Sequence, residues 1–211
     1  MIYIKKGSEP RKLQTYRRQS NATFDDMDAD VKTQLRNSLL AEQRHLCAYC
    51  MRRICNEHDV KIEHWSPRNP ENELDYNNLL AVCYGNQGSP KEEQTCDTRK
   101  GSDAISISPL NESDMRRIYY SNSGEIHSDD AIADAEMQNI LNLNGQNGIP
   151  LMGRKAALKA FKSQLHKYKN DKNTKAFLEK MRDTYAGHSE MMEPYLGVLR
   201  WYIDKKLQQY T

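Results

Sequence analysis

Four of the five cysteines in this 211-residue chain lie within one fifty-residue stretch and have the spacing of metal ligands. Cys47 and Cys50 form a C-x₂-C pair, from which two thiolates can reach one tetrahedral ion. Cys83 and Cys96 can supply the remaining two ligands, which would close the site and make it structural. The sequence therefore predicts a structural Zn²⁺ site formed by these four cysteines.

The second half of this cysteine set is open to alternatives. Twelve residues separate Cys83 from Cys96, where a second C-x₂-C pair would be more decisive. Cys55, His45 or His58 could replace one ligand, and buried thiols without a metal are the remaining alternative. An odd number of cysteines argues against a disulfide framework.

A second group of residues, whose side chains could take part in a reaction, lies between the cysteine pairs and directly after the last cysteine. Phosphodiester hydrolysis needs a deprotonated water, a cation against the leaving oxygen and positive charge on the nonbridging oxygens. His64 suits the first role because imidazole titrates near neutrality. Glu63 and Asp97 suit the second, since Mg²⁺ or Mn²⁺ prefers oxygen ligands. Arg99 and Lys100 suit the third.

The order of these residues resembles the HNH endonuclease family. The resemblance is carried by C-x₂-C, Glu-His-x-x-Pro, Asn-Leu-Leu-x-x-Cys and Cys-Asp-x-x-Lys-Gly. It implies that His64 is the general base and that Asn78 is the middle asparagine, which orients the loop carrying that histidine. Asp97 stands where the family usually has a third histidine or asparagine. Asn77 is the alternative to Asn78 for the middle asparagine. The resemblance implies that the catalytic group is His64, Asn78, Glu63, Asp97 and Lys100.

Three further strings look like the HNH subunit of Septu-type and retron-associated antiphage systems. They are Ile-Lys-Lys-Gly-Ser-Glu-Pro at 4–10, Ile-Glu-His-Trp at 62–65 and Ile-Leu-Asn-Leu-Asn at 140–144. This narrower likeness implies a nuclease that cuts DNA or RNA, including tRNA, when a partner licenses it. The implied partners are an ATPase subunit of the ABC/SMC-like type and, in some systems, a reverse transcriptase with its multicopy DNA.

Hydrophobic periodicity predicts the elements that must position these residues. A helix over residues 28–44 delivers the chain to Cys47. A hairpin would pair residues 61–65 with residues 79–83, and a short helix would begin at residues 96–103. Zinc would then fold Asp97 back towards Glu63 and His64, giving the ββα-metal arrangement.

The later sequence has long helical patterns. Helices are expected over residues 130–143, 156–168, 174–185 and 194–208, with a break at 145–148 and Pro150 near a helix start. The fold class is thus α+β, mainly α, with a zinc-stabilised ββα-metal (HNH) core and flanking helices. The expected division is a basic arm at 1–20, a nuclease core at 21–110 and a mainly helical region at 111–211.

Charge and hydropathy limit the class of protein. The net charge of +2 is small, but six of the first twenty residues are basic against one acid, Glu9. This arm could lie along phosphates, or it could be a solvated surface. No apolar run approaches the ~18 residues of a membrane span, and the first residues lack a secretory signal, so a cytoplasmic protein without membrane contact is expected.

Two other functions compete with a nuclease. A zinc-ribbon module that binds nucleic acid or protein would need the cysteines but not Glu63, His64 or Asp97. A zinc-dependent transferase or deaminase would need an open catalytic zinc with an H-x-E partner, which the residues between Cys47 and Asp97 do not provide. No role is expected for His127, His166 or His188, and Tyr119 and Tyr120 are expected to be core or surface aromatics.

Overall fold

The computed structural model describes residues 1–146, 148–168, 170–187 and 189–210. Its helices are α1 (Arg11–Tyr16), α2 (Ala29–Glu42), α3 (Cys96–Lys100), α4 (Glu112–Arg116), α5 (Ala131–Asn139), α6 (Ile149–Leu165), α7 (Asp171–Ala186) and α8 (Leu196–Leu207). Its strands are β1 (Lys61–His64), β2 (Leu79–Val82), β3 (Ile118–Tyr120) and β4 (Ile126–Ser128). The expected α+β, mainly α, fold class is confirmed. Among the described helices, none has the length and apolarity to cross a membrane.

Helix α2 leads into the first cysteine pair, close to the predicted bounds. The helix ends because Arg44 and His45 adopt left-handed backbone conformations, with φ of 49° and 62°. Its face towards the core carries Val31, Leu35 and Leu39 at helical spacing. This geometry turns the chain sharply towards Cys47.

The predicted hairpin is present as the antiparallel pair β1–β2, with Glu63 opposite Leu80 and His64 opposite Leu79. Strand β2 is buried throughout, whereas β1 is only partly buried. A two-stranded sheet leaves backbone groups unpaired along its outer edges. On β2, Gln43 at the end of α2 pairs such groups. Its side-chain oxygen accepts from the Ala81 N–H and its side-chain nitrogen donates to the Ala81 C=O, each at 2.7 Å.

The N-terminal segment is packed against the rest of the chain. Its apolar residues are buried in the main core: Met1, Ile4, Leu13 and Tyr16. Three of its cations form ion pairs: Lys6 with Glu42 at 2.8 Å, Lys12 with Asp30 at 2.7 Å and Arg17 with Glu9 at 2.9 Å. Residues 1–20 therefore contribute packing and have much of their positive charge neutralised internally.

A second hairpin, β3–β4, was not expected from the sequence. Its strands are three residues long, and its turn uses Gly124 at φ +88°. Tyr120 is buried and Tyr119 is exposed, stacked on His127, so both are the core and surface aromatics that were expected. His166 is exposed, and His188 lies outside the described residues.

Buried Arg154 attaches the C-terminal helices to the rest of the chain. From α6 its guanidinium donates to the carbonyl of Gly124 at 2.5 Å, to that of Leu143 at 2.7 Å and to the Asn144 side chain at 2.7 Å. Helices α6, α7 and α8 pack together, and their apolar faces join the cluster that includes α2 and the β1–β2 hairpin. The described residues thus share one main hydrophobic core across the expected divisions.

We expect the Gln43→Ala substitution to destabilise the protein, because the Ala81 N–H loses its side-chain acceptor in a buried environment. The expected cost is about 2 kcal/mol, or a fall in Tm of roughly 4–8 °C. Thermal unfolding measures the loss, and hydrogen exchange at the Ala81 amide locates it. Asn37→Ala, at an exposed position of the same helix, is the control. Equal Tm values for the two variants would contradict the bridging role of Gln43.

Candidate functional site

The four predicted cysteines converge in a buried cluster. Their sulfur atoms all lie within 4.8 Å of one another. The closest separations are 3.7 Å between Cys50 and Cys83, and 3.9 Å from Cys96 to both Cys47 and Cys83. Four thiolates at ~2.3 Å from a tetrahedral zinc ion would be ~3.8 Å apart. The donor set and spacing fit, so the cluster could hold a metal ion such as zinc.

The three alternative ligands lie outside this cluster. Cys55 is exposed, and His58 is exposed beside Glu57. The Nδ1 atom of His45 contacts the carbonyl of Ile54 at 3.2 Å. None of the three belongs to the group of potential ligands among the described residues.

The first cysteine pair is shaped by a tight turn. The Cys47 N–H donates to the Arg52 carbonyl at 2.9 Å, and the Met51 N–H donates to the Cys47 carbonyl at 3.0 Å. Met51 takes a left-handed conformation, with φ 63°. This closed turn directs the thiols of Cys47 and Cys50 into the same space.

The long interval between Cys83 and Cys96 is closed by a backbone contact. The Thr95 N–H donates to the Gly85 carbonyl at 2.9 Å, so the intervening residues form a loop whose ends meet. Gly85 has φ +49°, and a Cβ atom there would lie 2.0 Å from the Thr95 carbonyl oxygen. Hydrogen bonds from the other three thiols, and from the Gly85 N–H, lower the pKa of the Cys83 thiol. The neighbouring thiols, with a smaller contribution from the Gly85 N–H, thus favour the thiolate at Cys83, which is the form that binds a metal.

Two carboxylates meet beside the cysteine cluster. Glu63 of β1 and Asp97 of α3 are hydrogen-bonded to each other. The Glu63 Oε1 atom also accepts from Lys100 at 2.9 Å and from the Tyr49 hydroxyl at 2.8 Å. Asp97 Oδ2 pairs with Lys61 at 2.5 Å. Glu63, Asp97 and Lys100 are therefore brought together.

The two carboxyl groups are coupled, and their pKa values shift in opposite directions. Burial and the hydrogen bond to Asp97 raise the pKa of Glu63 to about 8. Burial opposes ionisation of Asp97 as well, but hydrogen bonds from Glu63 and Lys61 outweigh it and lower the pKa of Asp97. Mg²⁺ is typically bound through one or two protein carboxylates. Glu63 and Asp97 could supply such oxygen ligands once the ion pairs that engage them open.

His64 has its own contacts, separate from the carboxylates. Its Nε2 atom lies 2.9 Å from the Glu73 carbonyl, and its ring meets the Phe24 ring edge-on at 4.6 Å. Because successive strand residues point to opposite faces, His64 faces away from Glu63. The expected convergence of Asp97 on both residues is therefore found for Glu63, whereas the described contacts of His64 lie on the other face.

The protonation of His64 follows from these contacts. Nε2 faces a carbonyl oxygen, so it carries the proton and Nδ1 holds the free electron pair. Burial lowers the pKa of His64 and favours the neutral ring. A neutral imidazole with a fixed tautomer is suited to accept a proton at neutral pH.

Asn78 holds the backbone that follows His64. Its side-chain oxygen accepts from the Ser66 N–H at 2.8 Å, and its side-chain nitrogen donates to the Ser66 carbonyl at 3.1 Å. Its backbone carbonyl accepts from the Trp65 N–H at 3.0 Å. Asn77 is exposed and bonds Asp75 instead. The buried asparagine is thus the one that orients the histidine segment.

The two expected phosphate-binding cations are engaged elsewhere. Arg99 donates to the Lys91 carbonyl at 2.6 Å. Lys100 is buried against Glu63 and also donates to the His64 carbonyl at 3.2 Å. Lys100 therefore links β1 to α3, and it cannot meet a nonbridging oxygen without rearrangement.

Several residues of this site were not identified from the sequence. Lys61 could have been found, since it lies two positions before Glu63 and a strand repeats its faces every two residues. Tyr49 could have been suspected from its place inside the C-x₂-C turn. Glu73 and Phe24 had no local signal, because they reach His64 through tertiary packing.

A scan against protein-family models gives no match to this chain, and a search of curated proteins gives none either. Residue chemistry and site geometry are thus the grounds for a functional proposal.

We expect the purified protein to contain about one equivalent of zinc by elemental analysis, and the Cys83→Ser variant to lose it and unfold at a lower temperature. A metal bound by the four cysteines would connect a hairpin and a five-residue helix that have little core of their own. Cys55→Ser, which changes an exposed thiol, is the matched control and should retain both properties. Retention of zinc by Cys83→Ser would contradict the four-cysteine assignment.

Proposed function

We propose that this protein is a metal-dependent endonuclease of the HNH type that hydrolyses phosphodiester bonds in DNA or RNA. The observation that carries the proposal is the state of His64. Its Nε2 is held by the Glu73 carbonyl, which leaves Nδ1 free to accept a proton. The succession of β1, β2 and α3 beside a four-cysteine cluster supports the ββα-metal interpretation.

In the proposed reaction, His64 Nδ1 takes a proton from the attacking water. Asn78 keeps the segment after His64 in place through its two bonds to Ser66, so that the imidazole has one orientation. Glu63 and Asp97 lie on the face of β1 opposite His64, so they would hold Mg²⁺ or Mn²⁺ for the same phosphate only after the ion pairs with Lys100 and Lys61 open. When bound, such an ion stabilises negative charge on the phosphate and the leaving oxygen. The four-cysteine site serves as scaffold.

The cellular role that we propose is a toxic effector in antiphage defence, activated through an ATPase subunit of the ABC/SMC-like type. A reverse transcriptase with multicopy DNA would be a further partner. The sequence strings at 4–10, 62–65 and 140–144 support this part. Control by a partner is consistent with the engaged state of Lys100, because a closed ion pair must rearrange before that lysine can contact phosphate.

A zinc-ribbon module without catalysis is the second candidate. The buried pair between Lys100 and Glu63 favours it, since a structural role would fully explain that pair. In this alternative, the network of Glu63, Asp97, Lys61 and Tyr49 holds α3 on the hairpin and binds no second metal. The two candidates differ in whether the imidazole of His64 is needed for cleavage.

We expect His64→Ala to lower cleavage by at least about 100-fold, because general-base catalysis contributes about 10²–10⁴-fold. The assay uses the full chain with its copurifying proteins, Mg²⁺ or Mn²⁺, plasmid DNA and total tRNA as parallel substrates. His58→Ala, at an exposed histidine, is the matched control and should cleave normally. Full metal-dependent cleavage by His64→Ala would refute the general-base assignment, and absence of cleavage by the unaltered complex would favour the binding module.

We expect Asn78→Ala to reduce cleavage by about 10-fold or more, because the bonds that fix the segment after His64 are lost. It should also lower the free energy of unfolding by about 1–3 kcal/mol, since the Ser66 N–H and C=O lose a buried partner. The neighbouring Asn77→Ala variant controls for loss of an amide in the same turn. Cleavage rates measured below both unfolding transitions separate the two effects. Equal activity of the two variants would contradict the positioning role of Asn78.

A further inference from the structure

One flank of α6 carries a line of basic side chains. Lys155, Lys159, Lys162 and His166 occur at intervals of four, three and four residues, which places them along a single helix face. They border a groove of about 440 Å³ whose other side is formed by Asn122 and Ser123 in the β3–β4 turn. We call Lys155, Lys159, Lys162 and His166 the α6 basic face.

The charge of this face is not balanced by its own surroundings. Residues 137–170 contain no aspartate or glutamate. Across the described ranges, no salt bridge involves any of the four residues. Lys162 donates to the Asn122 carbonyl at 3.1 Å and lies over the Tyr202 ring. Glu125 is the nearby acid: hydrogen bonds from Ser123 and Ser121, aided by the charge of Lys155, lower its pKa.

The contrast with the N-terminal segment is informative. That segment has six basic residues within positions 1–20, but Lys6, Lys12 and Arg17 are each paired with a carboxylate. A phosphate would have to displace those partners, at a cost in electrostatic energy. The α6 basic face needs no such exchange, so it is the better surface for a polyanion.

The α6 basic face is also held firmly relative to the cysteine cluster. Buried Arg154, on the same helix, bonds the carbonyls of Gly124 and Leu143. Two residues before Leu143, the Leu141 carbonyl accepts from the Cys96 N–H at 3.0 Å. A polymer bound on α6 would therefore be fixed with respect to the cysteine cluster rather than tethered by a loose linker.

We propose that the α6 basic face binds the phosphodiester backbone of a nucleic acid without reading its sequence. The eleven helical steps from Lys155 to His166 span about 16 Å at 1.5 Å per residue, which covers about five phosphates of one duplex strand. The side chains that line the groove offer ammonium, imidazole, hydroxyl and amide groups, which suit phosphate oxygens. This inference rests on the proposed function, because it names the surface along which the cleaved polymer lies, but the binding itself needs neither His64 nor a divalent ion.

The test compares two triple variants of the full chain in the His64→Ala background, where a bound polymer is not cut. One replaces Lys155, Lys159 and Lys162 by glutamine. The control makes the same change at Lys172, Lys175 and Lys180 of α7, a helix that also carries Asp171, Glu179 and Asp183. Both remove three positive charges. Fluorescence anisotropy measures the Kd for a labelled DNA duplex and an RNA duplex of equal length, between roughly 50 and 200 mM salt.

We expect the α6 variant to raise Kd by at least about 10-fold near 0.1 M salt and to reduce the slope of log K against log salt by about 3. The control should change neither by a comparable amount. DNA and RNA should be affected alike, since the phosphates are common to both. Equal effects of the two triple variants, or an unchanged salt slope, would overturn the proposal. Because Lys162 also contacts the β3–β4 turn, the Lys155→Gln, Lys159→Gln double variant, expected to reduce the slope by about 2, provides a second measurement.

Two further outcomes distinguish nucleic-acid binding at α6 from protein binding there and from the nuclease proposal. If the α6 variant keeps nucleic-acid affinity but no longer retains the copurifying proteins, the face binds protein and the proposal is wrong. If the unaltered complex binds both duplexes through α6 but cleaves nothing, the backbone-binding proposal stands and the nuclease proposal fails.

Discussion

The approach of four sulfur atoms to within 4.8 Å of one another determines where the neighbouring chemical groups lie. Neither a four-residue hairpin pair nor a five-residue helix is stable alone in water, since each buries too little apolar surface. Cys83 follows β2 and Cys96 begins α3, so the contact between their thiols brings the hairpin and the helix together. Asp97 follows Cys96 directly, and so it lies beside Glu63. The geometry of the carboxylates is thus a consequence of the thiols.

Burying the polar network beside the cysteines costs desolvation free energy, and its charged groups are correspondingly well paired. Lys100 and Glu63 are almost fully removed from solvent, and an isolated charge at either position would cost several kcal/mol. Tyr49 and Lys61 supply the remaining hydrogen bonds, so each charge has more than one partner. Such a network admits few alternative arrangements. It therefore gives the short helix α3 one orientation on the hairpin, which the small apolar contact area alone would not specify.

Features with a local signature were predictable from the sequence, whereas those made by distant contacts were not. The periodicity of α2, the hairpin strands and the convergence of the cysteines followed from spacing, because covalent geometry limits what such patterns can form. The bond from His64 to the Glu73 carbonyl has no sequence signature, since any residue has a backbone carbonyl. The β3–β4 hairpin was missed because three-residue strands are too short to show alternation. Packing of the N-terminal segment depends on Glu42 and Asp30, which no local pattern connects to it.

The amide of Gln43 occupies the backbone groups of Ala81 that a third strand would otherwise use. The Ala48 N–H also donates to the same carbonyl, at 3.1 Å. Strand β2 is entirely apolar, and such an edge, if open, would be a template for intermolecular strand addition. By bonding the Ala81 backbone, the Gln43 amide disfavours self-association at this edge. It likewise blocks these backbone groups to a partner strand that would bind by β-augmentation.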